Sequence, residues 1–263
     1  MPIITSNDGT PIAFQRSGTG PPLVLVHGTS ASSSRWVPLL PDLEPLFSIY
    51  SLDRRGRGGS GDSEIYAIER EFEDISALAA SIEEPIYLLG HSYGAICALE
   101  AALRIETLRR LILYEPPILL EGESSNPAGI IERLEANLKA GDREAVLSTF
   151  FREVVLMPPD EFELFRSLPT WPLRLGAAHT LPRELRAQDQ YLFQAERFAK
   201  METPTMLLIG SESPASVRST IETVNAVLPI SRIVDLPGQQ HIAMDTAPEL
   251  FVREVVAFLE EPS

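Results

Sequence analysis

The residues best suited to covalent chemistry form a G-x-S-x-G motif at residues 90–94, with Ser92 at its centre. An apolar run at 86–89 precedes the motif and predicts a buried strand, and the small and apolar residues at 95–99 predict a helix. A serine held on a tight strand-to-helix turn projects its hydroxyl from the edge of a sheet. The helix N-terminus directs N–H groups towards the same place, which suits a developing oxyanion. The motif therefore predicts that Ser92 is a nucleophile.

A serine hydroxyl reacts as a nucleophile when a base takes its proton, and histidine is the usual base near neutral pH. The chain contains four histidines. His27 and His91 stand at or near predicted strand ends, where we expect them to make local hydrogen bonds. His241 lies in the loop between the last predicted strand and the last predicted helix. Because parallel strands open their loops at one edge of the sheet, we predict that His241 is the base for Ser92.

The elements that position these residues alternate between strand and helix over most of the chain. We predict a β-hairpin within 2–17, strands at 23–26, 47–52, 86–89, 108–114, 205–210 and 230–235, and helices at 66–82, 215–227 and 247–260. This alternation predicts an α/β fold with a mostly parallel sheet and helices on both faces. Residues 118–200 instead predict a helical insertion without strands, with helices at 130–139, 142–155, 160–167 and 183–199.

Composition sets limits on the class of protein. The chain has 263 residues, 44% of them hydrophobic, which predicts one large soluble domain or one with an inserted subdomain. A net charge of −15 argues against a nucleic-acid partner and against attraction to anionic membranes. The single cysteine, Cys97, excludes an internal disulfide. We see neither a signal-peptide pattern nor an apolar run long enough for a membrane span, and we expect a cytoplasmic protein.

The sequence resembles the α/β-hydrolase fold family in four features taken in chain order: His27-Gly28, the turn at 53–61, the motif at 90–94 and His241. The resemblance covers nearly the whole chain, and the ordered set is more specific than any one motif. It implies a mostly parallel, eight-stranded sheet with a leading antiparallel hairpin. It also implies a core of residues 1–117 and 201–263, with a helical cap of residues 118–200 between the sixth and seventh strands.

The resemblance further implies a Ser-acid-His triad in that chain order, with an oxyanion hole made by the backbone N–H groups of Thr29 and Tyr93. The predicted function is a serine hydrolase that acts on a carboxylic ester or lactone through an acyl-enzyme. Alternatives on the same fold are hydrolysis of a carbon–carbon bond and acyl transfer. A slow-turnover ligand-binding protein is the alternative from another class. We expect a small-molecule acyl substrate and no cofactor or metal, and the sequence does not indicate an oligomeric state.

The acid is where this sequence departs from the commonest family pattern. Many relatives carry an Asp three residues after the Gly that closes the seventh strand, and Ser213 occupies that position here. Glu212 is adjacent to it, and Glu115 stands at the end of the sixth predicted strand, where some relatives carry the acid. A carboxylate at that edge is costly unless it is paired. We favour Glu115 over Glu212, and Asp235 and Asp245 fit less well.

Bulky apolar residues within 118–200 are expected mainly to pack between helices, and some of them to line a substrate pocket. Trp171, between two prolines, is the candidate that we select for the pocket. His179 is interpreted either as a surface residue or as a second pocket residue. Arg174, Arg183 and Arg186 offer positive charge for a substrate carboxylate, although solvated arginines are the favoured interpretation.

Overall fold

An eight-stranded sheet forms the centre of the computed structural model, which describes residues 1–119 and 126–262. The strands are β1 (Ile3–Thr5), β2 (Pro11–Ser17), β3 (Pro22–Val26), β4 (Ser48–Leu52), β5 (Ile86–His91), β6 (Leu108–Tyr114), β7 (Thr205–Gly210) and β8 (Ser231–Leu236). Their order in the sheet is β1-β2-β4-β3-β5-β6-β7-β8. Strand β2 is antiparallel to β1 and β4, and all other neighbouring pairs are parallel. The predicted sheet and its leading hairpin are confirmed.

Helices connect the strands. The α-helices are α1 (Leu40–Leu43), α2 (Ile68–Ala80), α3 (Tyr93–Ala102), α4 (Ile130–Lys139), α5 (Arg143–Thr149), α6 (Pro159–Ser167), α7 (Trp171–Ala177), α8 (Leu181–Gln190), α9 (Ala195–Phe198), α10 (Ala215–Val227), α11 (Ala243–Thr246) and α12 (Pro248–Leu259). Ser33–Leu39 and Ala178–Thr180 are 3-10 helices, and Phe150–Val154 is a π-helix. Within the described ranges, none of these helices combines the length and the apolar character needed to cross a membrane.

Both faces of the sheet are covered by apolar side chains. Strands β3, β5 and β7 are buried along their whole length, as expected for parallel strands with helices on both sides. On one face, Phe72 of α2 and Ile221 of α10 pack with one set of strand side chains. On the other face, Trp36 and Phe251 of α12 pack with the alternate set. Successive side chains of a strand point to opposite faces of the sheet, so each strand contributes residues to both cores.

The described residues between β6 and β7 are mostly helical, from α4 to α9. They form a separate apolar cluster, in which Phe162 and Leu181 are fully buried and which Ile242 joins from the far end of the chain. Residues 120–125 of the predicted insertion lie outside the described residues.

Within this segment one prediction was wrong, and one helix was not predicted. The single helix predicted at 183–199 is two helices, α8 and α9, separated by residues 191–194. Helix α7 was not predicted, because Pro169 and Pro172 interrupt the helical pattern of the sequence around Trp171. Pro172 occupies the first turn of α7, where its missing N–H removes no helical hydrogen bond. Pro172 therefore begins a helix instead of ending one.

A buried network of ion pairs joins α8 to the sheet. Arg54, which follows β4, donates two hydrogen bonds to Glu71 of α2, at 2.9 and 2.7 Å, and one to Glu184 of α8, at 3.0 Å. Arg57 also donates to Glu184 and, at 2.7 Å, to Thr180. All of these side chains are buried. Since each charge depends on a buried partner, removing one partner is expected to be costly.

Candidate active site

Ser92 stands between β5 and α3 with φ of 55° and ψ of −129°, a conformation that residues other than glycine rarely adopt. Its N–H donates to the carbonyl of Tyr114 on β6 at 2.8 Å. The turn leaves no room at Gly94, where a Cβ would collide with the carbonyl of His27. Strain of this kind persists only where the surrounding structure imposes it, and it clusters at functional sites. The motif therefore holds a half-buried Ser92 at the carboxyl edge of the sheet.

The backbone of Gly28 lies against Ser92, and Thr29 lines the same cavity as Ser92. A Cβ on Gly28 would be 2.9 Å from Ser92 Cβ and 3.4 Å from its Oγ. The carbonyl of Gly28 accepts a hydrogen bond from His27 Nδ1 at 2.8 Å, because the Nε2 of that ring already accepts from the N–H of Arg54 at 3.1 Å. Burial, reinforced by nearby arginines, lowers the pKa of His27 and keeps the ring neutral. In a trans peptide the next N–H points opposite to the carbonyl, so the N–H of Thr29 points away from His27.

Glu115 and His241 are joined by a hydrogen bond in which Nδ1 donates to Oε2 at 2.6 Å. The Glu115 side chain is 1% exposed, whereas that of His241 is 25% exposed. The other carboxylate oxygen, Oε1, accepts from Ser213 Oγ at 2.5 Å and from the N–H of Gly210 at 2.9 Å. Three donors therefore converge on one buried carboxylate, and they come from the end of β7 and from the loops after β7 and β8.

The charge state of Glu115 follows from these contacts. Burial by itself raises the pKa of its carboxyl group, but the hydrogen bonds from His241, Ser213 and Gly210 outweigh burial, and the pKa is held below its ordinary value. An ionised carboxylate can only accept, so Nδ1 of His241 carries the shared proton. The Nε2 of that ring is then the nitrogen available to take up a proton.

Two aromatic side chains fix the loop that carries His241. His91 Nε2 donates to the carbonyl of His241 at 3.0 Å, and the two ring centroids are 4.7 Å apart. Burial, and after it the proximity of His241, lowers the pKa of His91, so this ring is neutral. The Tyr114 hydroxyl donates to the carbonyl of Gln240 and accepts from the N–H of Ala243 at 3.2 Å. His91, inside the motif, thus links the serine turn to the histidine loop.

A cavity of about 410 Å³ opens onto Ser92 and His241. Its volume lies in the range typical of small-molecule sites. Thr29 and Glu115 also line it, and much of the rest of its wall is apolar, including Leu156, Met157 and Val217. The structure thus brings Ser92, His241, Glu115 and Thr29 to one cavity at the carboxyl edge of the parallel strands.

The two pocket residues predicted from the sequence are not among the described residues that line this cavity. Trp171 is buried in the helical segment, with its ring 6.1 Å from that of Phe151, and its Nε1 donates to Glu144 at 3.0 Å. His179 is exposed and its ring bonds the carbonyl of Gly176 at 3.0 Å. Helix packing accounts for Trp171, and His179 lies on the surface.

The alternative acids lie elsewhere. Glu212 is exposed, and its carboxylate accepts from Ser211 Oγ at 3.2 Å. Asp245 forms an ion pair with Arg35 at 2.5 Å. Of the carboxylates considered, Glu115 is the one whose oxygen meets His241.

Comparison with known proteins agrees with this fold. Residues 23–254 match the family model described as "Alpha/beta hydrolase family". The chain belongs to this family. An α/β hydrolase of known structure from Sphaerobacter thermophilus is 36% identical, with a TM-score of 0.86 over 98% of this chain and 100% of that chain. The (E)-2-((N-methylformamido)methylene)succinate hydrolase of Acinetobacter baylyi is 26% identical over 97% of this chain and 96% of its own. A non-heme haloperoxidase of Rhodococcus erythropolis is 25% identical over 99% of this chain and 100% of its own.

Sequence reasoning overlooked two contributors to the site of this α/β hydrolase. Ser213 was noted only as the position where the usual Asp is missing, but its hydroxyl donates to Glu115. The sequence did contain a signal for this contact: a serine at the usual position of the acid, together with a carboxylate at the end of the neighbouring strand. Tyr114 was treated as a strand residue, and nothing local to it indicates that it holds the loop of His241. Among the described residues, no three His, Cys, Asp or Glu side chains form a group that could hold a metal ion.

Proposed function

We propose that this α/β hydrolase is a serine hydrolase that cleaves a carboxylic ester or a lactone through an acyl-enzyme. The observation that carries the proposal is the hydrogen bond from His241 to a buried, ionised Glu115, with His241 and Ser92 lining one cavity. A carboxylate on Nδ1 fixes the tautomer whose Nε2 accepts a proton, which is what a serine nucleophile requires.

In the proposed mechanism, Ser92 Oγ attacks the acyl carbon while its proton passes to His241 Nε2. The backbone N–H groups of Thr29 and Tyr93 receive the oxyanion, and each such donor is worth on the order of 3 kcal/mol. His241 then gives its proton to the leaving oxygen as that bond breaks. Water, deprotonated by the same imidazole, attacks the acyl-enzyme; the bond to Ser92 Oγ breaks as the imidazolium returns the proton to that oxygen, and the acid is released. Glu115 stays ionised throughout and stabilises the imidazolium.

The choice of an ester or lactone rests on the chemistry of the site. The relatives are named as hydrolases and as a haloperoxidase, and the name from Acinetobacter baylyi includes a succinate, so the names do not converge on one substrate. We further propose that residues 118–200 act as a cap, since Phe150, Leu156 and Met157 of that segment line the same cavity as Ser92. Carbon–carbon bond hydrolysis is the alternative that a panel of diketones tests beside the esters.

The test replaces Ser92 by alanine and measures hydrolysis of p-nitrophenyl butyrate, together with labelling by a fluorophosphonate probe. We expect the wild type to hydrolyse the ester and to be labelled, and Ser92→Ala to lose both. The matched control is Ser219→Ala, which removes an exposed hydroxyl from α10. Undiminished hydrolysis or labelling of Ser92→Ala would reject the proposal, as would an inert and unlabelled wild type.

A further inference from the structure

Arg174 of α7 is buried beside the nucleophile and is poorly partnered. Its side chain packs on the ring of Phe165, with the guanidinium carbon 4.1 Å from the ring centroid. The residue is 4% exposed. Nη1 reaches Ser30 Oγ at 3.4 Å, which is long for a hydrogen bond, and Nε has no hydrogen-bond partner among the described residues. The favoured interpretation of Arg174 as a solvated residue is therefore wrong.

Among the described residues, Asp245 is the acid whose charge acts on this guanidinium, and it is already paired. Asp245 binds Arg35 at 2.5 Å, and the Arg35 guanidinium itself lies 5.7 Å from the centroid of the Phe165 ring. Because Arg35 already pairs with Asp245, Arg174 has no ion-pair partner among the described residues, and one positive charge there is in excess. Burial, and next the charge of Arg35, lower the pKa of Arg174 to about 9, so Arg174 is still charged at neutral pH. A buried charge without a counter-ion is costly, and a bound anion would remove that cost.

Arg174 faces a small cavity of about 30 Å³ that also touches the catalytic side chains. The volume suits a group of two or three heavy atoms, since about 10–15 Å³ is enough for one water molecule. This cavity and the larger one share five lining residues: Thr29, Ser92, Phe150, Val155 and His241. A substrate at Ser92 can therefore extend one short substituent to the guanidinium.

The distribution of negative charge favours the same place. Glu115 and Glu161 line the larger cavity, and neither lines the smaller one. A carboxylate of the substrate would be repelled in the larger cavity and attracted in the smaller one. Guanidinium groups bind carboxylates through paired, charge-assisted hydrogen bonds, and Nε of Arg174 is one donor that such a pair needs.

We propose that Arg174 forms a carboxylate-binding subsite, and that the natural substrates are esters or lactones with a carboxylate a few bonds from the scissile carbonyl. This inference rests on the proposed serine hydrolase activity. The small cavity receives the carboxylate, and the larger cavity receives the apolar remainder. Substrates without the carboxylate forgo the contact with Arg174.

The test compares two esters that differ in one charge, mono-p-nitrophenyl succinate and its methyl ester. We expect the wild type to favour the anionic ester, and Arg174→Met to lower the ratio of the two kcat/KM values by about tenfold to a hundredfold, the range for a lost hydrogen bond to a charged group. Arg186→Met, which removes an exposed arginine of α8 paired with Glu135, should leave the ratio unchanged. A ratio changed by less than twofold in Arg174→Met would overturn the subsite.

A second measurement is independent of turnover. Succinate should raise the melting temperature of Ser92→Ala, and it should fail to do so when Arg174→Met is added. Methionine in place of an unpaired buried charge should also leave the unliganded protein at least as stable as before. A lower melting temperature with equal losses on both esters would assign Arg174 a structural role and reject the proposal. If the wild type hydrolysed none of the esters, the proposed serine hydrolase activity would be rejected. The succinate measurement would still test the carboxylate subsite, because it requires no turnover.

Discussion

Replacing Glu115 by glutamine tests the acid of the proposed triad. The amide keeps the size of the side chain and one acceptor oxygen, but it turns the other oxygen into a donor. In the wild type three donors meet the two oxygens: His241 Nδ1 on Oε2, and Ser213 Oγ and the N–H of Gly210 on Oε1. The glutamine therefore cannot satisfy all three donors in their present arrangement.

The structure decides which arrangement of the glutamine is favoured. If its oxygen faced His241, the NH₂ group would meet the N–H of Gly210, and a buried donor would be left unpaired at a cost of about 1–3 kcal/mol. With the oxygen towards Gly210 and Ser213, the NH₂ group instead faces Nδ1 of His241. The ring then has to accept at Nδ1 and carry its proton on Nε2, so the base for Ser92 is lost while folding is nearly unaffected.

We therefore expect Glu115→Gln to lower kcat by about 10⁴-fold, the loss found when a triad carboxylate becomes an amide. That loss corresponds to about 5 kcal/mol of activation free energy. The free energy of unfolding should change by only about 1 kcal/mol. The assay is kcat for p-nitrophenyl butyrate with urea unfolding in parallel, and Glu212→Gln serves as the control because that carboxylate is exposed. A loss below tenfold for Glu115→Gln, or a large loss for Glu212→Gln, would refute the assignment.

Three further predictions follow from contacts described above. Gly28→Ala places a Cβ 2.9 Å from that of Ser92, so kcat for p-nitrophenyl butyrate should fall about 10²-fold with an unchanged melting temperature. Glu184→Gln removes the carboxylate that two buried arginines share and should cost about 3–5 kcal/mol in urea unfolding; Glu135→Gln, in an exposed pair, should cost less than about 1 kcal/mol. The pKa of Glu115 lies below its ordinary value of 4.5, so its ionised form stabilises the folded protein above pH 4.5, and this contribution disappears as the pH falls through the lower pKa. The difference in unfolding free energy between wild type and Glu115→Gln should accordingly shrink from pH 7 to pH 3, and a difference that grows would contradict the prediction.

The acid that bonds His241, Glu115, follows β6, whereas many relatives carry an Asp after the seventh strand. At the position where many relatives carry an Asp, this chain has Ser213, whose side chain supplies a donor and no negative charge. The neighbouring strand supplies the carboxylate instead, and the Ser213 hydroxyl turns towards it at 2.5 Å. Strands β6 and β7 are adjacent and parallel, so residues just beyond their ends meet. Either strand can therefore present an acid to the same histidine.

The sequence predicted the elements with strong local signals. The apolar run at 205–210 predicted a strand with the bounds that the structure shows, and the glycine spacing around Ser92 predicted the strand-to-helix turn. The serine and the candidate histidine were also named from the sequence, because a motif and a loop between predicted elements need no distant contact. The choice of Trp171 as a pocket residue was wrong, since a bulky residue packs between helices as readily as it lines a cavity.

By itself, then, the sequence determined the α/β architecture, because hydrophobic periodicity and turn chemistry act over a few residues. It also marked Ser92 as the candidate nucleophile and reduced the candidate acids to a short set of carboxylates. Only the tertiary structure placed Glu115 against His241 and left Glu212 in solvent, because that choice depends on contacts between β6 and a loop more than a hundred residues away. It alone buried Arg174 without an ion-pair partner among the residues that the structure describes, since the burial and pairing of a charge are properties of the packed helices around it.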